Sequence, residues 1–328
     1  MSYTIKRVGF AVLTMFIAVT LDFFLFRVLP GSAVSGLRCQ NCTLQFKQAI
    51  IHQYGLDKPK FEQYLIFLVR LLHGDLGTSV ANNQPVWSDI SGPLLNTLPM
   101  LLAGTLVAIV IGVLSGVVSA WRRGTLVDRG SLWTSLVFYA MPTQWIGVLV
   151  VFYVASVLGL PRAGIQSSTL GILGTASTWA TIVDRTRHLI LPALTLGVGL
   201  YGQFALVTRS AMLETLGEDY VLTARAKGLS NLTVIRRHAL RNATLPLVTL
   251  IALSAGSIVG GAIVVEDVFS YPGIGLATVD AINQNDYPVL QGIFVVLTVS
   301  VILANLAADL LYMRLDPRVR RELDGVTG

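Results

Sequence analysis

Charge is what this sequence has least of. Only 13% of its 328 residues are Asp, Glu, Lys or Arg, against roughly one quarter in an average soluble domain. Together with 53% hydrophobic residues and a mean hydropathy of +0.68, that shortage excludes an ordinary soluble body and places the chain in a bilayer. Cysteine is nearly absent too: the chain has two, Cys39 and Cys42, too few for a four-thiolate metal site. None of the four histidines, His52, His73, His188 and His238, belongs to an HExxH pattern or sits at metal-ligand spacing from a cysteine, so neither a metal centre nor an enzyme constellation stands out. There is no GxxxxGK[ST] nucleotide loop, and no lysine follows a glycine. If ATP drives this protein, another chain must hydrolyse it. Internal repeats and low-complexity tracts are also missing, which weighs against an inverted-repeat secondary transporter.

What the sequence does have is long apolar runs. Crossing about 30 Å of hydrocarbon takes about 20 helical residues. Runs of that order occur at residues 98–120, 130–161, 189–208, 242–265 and 287–308, and a first one at 8–26 is interrupted by Asp22. The first run is too long for a cleavable signal core and carries Asp22 and Arg27, so it is a retained span. Residues 163–183 are uncharged, but Gln166 and several Ser, Thr and Gly suit hydrocarbon poorly. Basic residues settle the count, because short cytoplasmic loops carry their excess. Six spans with both ends cytoplasmic put Lys6 and Arg7, Arg122, Arg123 and Arg129, the cluster from Arg209 to Arg241, and the tail from Arg314 to Arg321 inside. The net charge of +6 is then a topogenic bias, and nucleic acid is not an expected partner.

The organisation that follows is a first helix over 1–29, an extracytoplasmic region over 30–96, a five-helix core over 97–312 and a cytoplasmic tail over 313–328. In the outer region, Phe61, Tyr64, Leu65, Leu68, Leu71 and Leu72 recur at helical spacing and predict an amphipathic helix ending near His73 and Gly74. Pro142, inside the third run, removes a backbone hydrogen bond and predicts a kink. Gly112 and Gly116, like Gly256 and Gly260, sit four apart, which lets helices approach closely.

Few side chains invite chemistry. Asp22 and Asp309 are ionisable groups in or at the edge of spans, where charge is costly; local pairing or snorkelling competes with a place in a translocation path. Cys39 and Cys42 form a CxxC in an outer loop, where an oxidising compartment permits a disulfide, with free thiols as the alternative. The segment 266–287 has no Lys or Arg and four acids, Glu266, Asp267, Asp280 and Asp286. Its turn, with Glu266, Phe269, Tyr271, Pro272 and Gly273, is either an outer gate or receptor-docking scoop, or a structural turn packed on the bundle.

The most informative stretch is 219–241. Ala224 and Ala226 give a helix with a low surface, Arg225 and Lys227 supply charge, and Gly228 breaks it. A second helix fits Asn231 to Arg241 with Asn231 as its cap and Val234, Ile235 and Ala239 near one face. Two short helices joined at a glycine on the membrane surface form a plug for a groove in a partner, with anionic membrane lipid as the competing ligand.

Asp219-Tyr220-Val221, Thr223 through Ser230, Arg237 through Asn242 and Leu245-Pro246 resemble the cytoplasmic coupling motif of permease subunits from ABC importers, in the dipeptide/oligopeptide/nickel branch. Tyr54 through Pro59, Gly74 through Ser79, His188 through Gly197, Val265 through Gly275 and Leu315 through Arg320 are similar to that branch in the same order, and to the first of its two permeases. Leu222 stands where the general motif has Glu. The resemblance implies an all-α, six-span type I importer permease with coupling helices, non-catalytic in itself. It implies a second homologous permease, two ATP-binding subunits carrying ATP and Mg²⁺, and an extracytoplasmic solute-binding protein. Tyr220, Thr223, Ala224, Arg225, Ala226, Lys227, Gly228, Arg236 and Arg237 would then touch the ATPase. Peptides are the default cargo. An ion-coupled secondary transporter or a channel subunit would need no such partner.

Overall fold

The computed structural model describes residues 3–27, 58–167 and 177–315, and among them every element longer than a single bridge is helical. In chain order these are α1 (Tyr3–Arg27), α2 (Lys60–Leu72), α3 (Val86–Trp121), α4 (Leu126–Ala140), α5 (Thr143–Leu158), α6 (Thr178–Leu216) and α7 (Asp219–Ala226). The helix α8 follows, running without a break through Asn231–Thr233, a π-helical Val234–Ala239 and Leu240–Val268, then α9 (Ile274–Asn283) and α10 (Tyr287–Leu315).

By length and composition α1, α3, α6 and α10 each suffice to cross a membrane, and α4 with α5 passes the same test as a bent pair. The charge-free run 242–265, the remaining span expected from the sequence, lies inside α8. Two elements differ from the sequence expectation. The kink at Pro142 is a full break: α4 and α5 meet at 106°. Pro142 lacks an N–H and forces extended backbone on its predecessor, and Met141 accordingly has ψ 129°. Pro142 then caps α5, its carbonyl accepting from the Trp145 and Ile146 amides at 3.0 and 3.3 Å. The second difference lies in the uncharged stretch 163–183, whose last residues belong to α6. That helix has 39 residues and at 1.5 Å per residue exceeds the hydrocarbon thickness, which leaves room for Asp184, Arg185 and Arg187 at its start.

The chain divides into two compact units, residues 1–97 with 272–306, and 98–271 with 307–328. In the first, aromatic side chains join α1 to α2: Phe23 lies 5.2 Å from Tyr64 and 5.6 Å from Phe67, and the Thr20 and Tyr64 hydroxyls share a 2.8 Å bond. Phe26 meets Phe294 of α10 at 5.5 Å. Asp22 is buried and faces Gln291 of α10. The core of this unit is Val86, Ile90, Ile274, Ala281, Val289, Leu290 and Ile293. Gly77, with φ 101°, turns the chain after α2. Arg70 donates to Asp75 at 2.9 Å and holds that carboxyl below its usual range.

In the second unit α3 lies directly on α6. A Cβ at Gly112 would stand 2.5 Å from Phe204 Cβ, and one at Gly116 only 2.6 Å from both the Ala205 carbonyl and Thr208 Cβ. The backbones approach because those two positions carry no side chain. Met100, Ile146, Leu191, Leu196, Val265, Phe269 and Tyr271 belong to one buried cluster, and Ala120, Ala211, Met212, Ala239 and Ala243 to another.

Candidate functional site

Helix α7 begins with Asp219 and carries Arg225 in its last turn, each placed to favour the helix dipole. It ends in a Schellman motif: the Leu229 amide bonds the Ala224 carbonyl at 3.3 Å and the Gly228 amide the Arg225 carbonyl at 2.9 Å. That motif needs a left-handed residue, and Gly228 supplies it with φ 76°. The cap of the next helix is Ser230 rather than Asn231. Its hydroxyl accepts from the Thr233 amide at 3.4 Å and shares a 2.8 Å bond with Thr233 Oγ1.

The segment expected as a second short helix is the beginning of α8. Residues 231–268 form one helical run, so whatever grips the surface at 219–241 holds the end of a continuous rod. The π-turn at 234–239, with one extra residue per hydrogen-bonded loop, contains Arg236 and Arg237. Against α7, Val234 is fully buried with Val221 and Ala224, and Leu216 closes the cluster. Asn242 donates to the Tyr220 hydroxyl at 2.6 Å, tying the start of α7 to α8.

The predicted residues therefore divide. Tyr220, Thr223, Arg225, Ala226, Lys227, Gly228, Arg236 and Arg237 are exposed. Ala224 is not: it is 4% exposed and packs inward. Its small size serves the contact between α7 and α8, and only Ala226 contributes a low outer surface. The Arg225 guanidinium sits 6.0 Å from the ring centre of Trp121, at the end of α3.

Beside Trp121 lies a network that the sequence expectation missed. Asp128, in the first turn of α4, accepts two bonds from Arg209 of α6 at 2.8 and 3.0 Å. It also accepts from Ser119 Oγ at 2.7 Å and the Gly124 amide at 2.8 Å. One carboxylate thus ties α3, α4, α6 and the turn between α3 and α4 together. The signal was present as Thr125-x-x-Asp128, a helix-start pattern, and Thr125 does cap α4.

On the other candidate site, Glu266, Phe269 and Tyr271 are buried at 0, 1 and 3% exposure. Phe269 and Tyr271 belong to the apolar core, and the Phe269 carbonyl accepts from Gly164 at 3.0 Å. Burial, and then the Glu266 charge, pushes the Tyr271 phenol above its ordinary range. In the first unit, the Pro272 carbonyl accepts from Asn96 at 2.8 Å and the Ile274 amide donates to Thr97 at 2.8 Å. Gly273 is buried as well. The Glu266, Phe269 and Tyr271 side chains therefore lie inside the second unit, whereas Pro272 is half-buried. Cys39 and Cys42 lie outside the described residues. Among the described residues no cluster of His, Cys, Asp and Glu could hold a metal ion.

Residues 108–321 match the family described as the binding-protein-dependent transport system inner membrane component, and residues 1–102 match its N-terminal counterpart. The chain belongs to this family. As a permease component it is 38% identical over 334 residues to the di/tripeptide transport system permease protein DppB of Pseudomonas aeruginosa, with 98% of this chain and 99% of that one covered. It is 36% identical to the dipeptide transport system permease protein DppB of Escherichia coli K12, with coverage of 98 and 99%. The glutathione transport system permease protein GsiC of Escherichia coli O6:H1 is 33% identical at the same coverage. Among solved structures, an inward-facing MetNI methionine ABC transporter chain aligns with a TM-score of 0.55 and 19% identity, covering 68% of this permease and 94% of that chain. That likeness establishes the helical permease fold.

Proposed function

We propose that this permease is one transmembrane half of an ATP-driven importer for peptides or chemically similar small solutes. The near-complete match to permeases named for di- and tripeptides carries the reading. A second homologous permease completes the path, and two ATP-binding chains supply the energy and hold ATP and Mg²⁺. An extracytoplasmic solute-binding protein delivers the cargo, and membrane lipid surrounds the bundle. The excess of Lys and Arg in the inner loops supports an inner-membrane orientation with both termini cytoplasmic.

The coupling contact lies at residues 219–241. ATP-driven closure of the motor moves α7 and the start of α8, and the continuity of α8 carries that displacement into the membrane. Tyr220, Thr223, Arg225, Ala226, Lys227, Gly228, Arg236 and Arg237 form the contact, with Ala224 supporting it from beneath. The turn with Glu266, Phe269, Tyr271, Pro272 and Gly273 serves as an outer gate or as a receptor-docking element. The test is co-expression of this permease with its candidate second permease, ATP-binding chains and binding protein in proteoliposomes. ATP-dependent uptake of a labelled dipeptide is expected, and stable homomers transporting without ATP would overturn the assignment.

A further inference from the structure

The surface around Gly228 exposes three large apolar side chains: Leu222 at 55%, Leu229 at 39% and Leu232 at 62%. They are interspersed with Arg225, Lys227, Arg236 and Arg237, all exposed, and no acidic residue occurs from Tyr220 to Asn242. The inward face of α7 is already spent on Val221 and Ala224, so Leu222 points away from the fold. It occupies the position where the general coupling motif carries a charge. Leu229 lies on the Schellman turn and Leu232 in the first turn of α8.

We propose that Leu222, Leu229 and Leu232 are the anchors by which this permease binds its ATP-hydrolysing partner, in an apolar cleft whose rim is lined by carboxylates. This rests on the coupling role proposed above for residues 219–241. Exposed leucines on a water-facing segment lose nothing within the fold when covered, and each gains by leaving water. The four cations around them outnumber the two exposed acids at the start of α7, Glu218 and Asp219, and that surplus selects an acidic rim. Rim charges govern approach and salt dependence, whereas apolar anchors govern residence time. A lipid surface fits less well. The leucines occupy one helix, a turn and the start of a second helix, and a membrane-lying helix needs one continuous apolar stripe.

The experiment compares retention of the co-expressed ATP-binding chains by tagged permease complexes in detergent and in nanodiscs containing anionic lipid. Retention is measured at low salt and at about 1 M, where the screening length falls to about 3 Å. Combined Leu222→Ala, Leu229→Ala and Leu232→Ala is expected to raise the dissociation rate at least about tenfold at both salts. Arg225→Gln with Arg236→Gln should slow association at low salt and change little at high salt. Co-purification of the second permease verifies that each variant is assembled. Wild-type retention by the leucine variant would overturn the proposal, as would a loss confined to anionic nanodiscs, which would assign the leucines to lipid. If the wild-type permease itself retains no ATP-binding chain, the coupling role fails, and the anchor proposal falls with it.

Discussion

Arg209 and Asp128 meet fork to fork, with two N–H···O bonds of 2.8 and 3.0 Å between α6 and the first turn of α4. The Asp128 side chain is 4% exposed and that of Arg209 21%. Removing one partner leaves a largely buried charge and, for Asp128→Ala, also strips Ser119 and the Gly124 amide of their acceptor. The expected loss is about 2–4 kcal/mol, toward the lower end for a partly hydrated pair. Thermal unfolding in detergent should show it. Arg209→Lys should fall between wild type and Arg209→Ala, because an ammonium cannot form the bidentate contact. Equal melting of Asp128→Ala and wild type would show that the network contributes no stability.

Gly228 faces open space, since a Cβ there would meet nothing within 4 Å. The constraint is its φ of 76°. An L-residue in the left-handed region costs roughly 1–2 kcal/mol, with Asn tolerated best. Uptake should therefore decline in the order Gly228, Gly228→Asn, Gly228→Ala, Gly228→Leu, while the amount of membrane-inserted protein stays level. Gly228→Leu is expected to abolish transport and the substrate stimulation of ATP hydrolysis. If the Asn and Leu variants transport equally, backbone conformation is not what this glycine provides.

How much of this was legible beforehand follows the range of each interaction. Apolar runs and Gly228 are local signals, and so are the helix at residues 60–72 and the break at Pro142; each is visible in the sequence, although its severity is not. The 106° bend depends on how α5 is recapped. The inward turn of Ala224 was hidden, because Ala224 and Ala226 are the same residue and only the position of Val234 on α8 decides which is covered. The continuity of residues 231–268 was hidden for a related reason: a π-turn has no periodicity signature in a short basic stretch. Asp128 could be placed at a helix start from Thr125, but Arg209 lies 81 positions away, beyond the reach of local patterns. The Gly74–Ser79 stretch is marked in the sequence by its family resemblance alone, and its physical role lies in the contact between Ser79 and Asp286.

Glycines along α3 provide a prediction in which the sign changes. At Gly112 and Gly116 a Cβ would fall within 2.6 Å of α6, whereas at Gly92 it would meet nothing within 4 Å. Gly112→Ala and Gly116→Ala must push two backbones apart, at about 1–3 kcal/mol or more. Gly92→Ala adds only helix propensity and should stabilise by up to about 1 kcal/mol. Melting temperatures of the three variants are expected to move in opposite directions. Stabilisation by Gly116→Ala would contradict the close approach of α3 and α6.

Asp286 is 3% exposed and accepts from Ser79 Oγ at 2.5 Å, the Ala81 amide at 3.0 Å and the Val289 amide at 3.2 Å. It caps the start of α10 and pins the turn at 79–82, more than two hundred residues distant in sequence. Deleting the carboxylate strands three buried or half-buried donors, so Asp286→Ala should cost about 2–4 kcal/mol. Asp286→Asn keeps one acceptor and should cost less, and Ser79→Ala, which removes the donor to Asp286 and the hydroxyl that accepts from the Ala81 and Asn82 amides at 3.2 Å each, about 1–2 kcal/mol. Limited proteolysis at residues 79–85, followed by mass spectrometry, measures the release of the turn directly. The expected order of cleavage rates is Asp286→Ala above both Asp286→Asn and Ser79→Ala. Equal rates for Ser79→Ala and Asp286→Ala would mean that the hydroxyl, through its own bonds to the Ala81 and Asn82 amides, holds the turn as strongly as the carboxylate does.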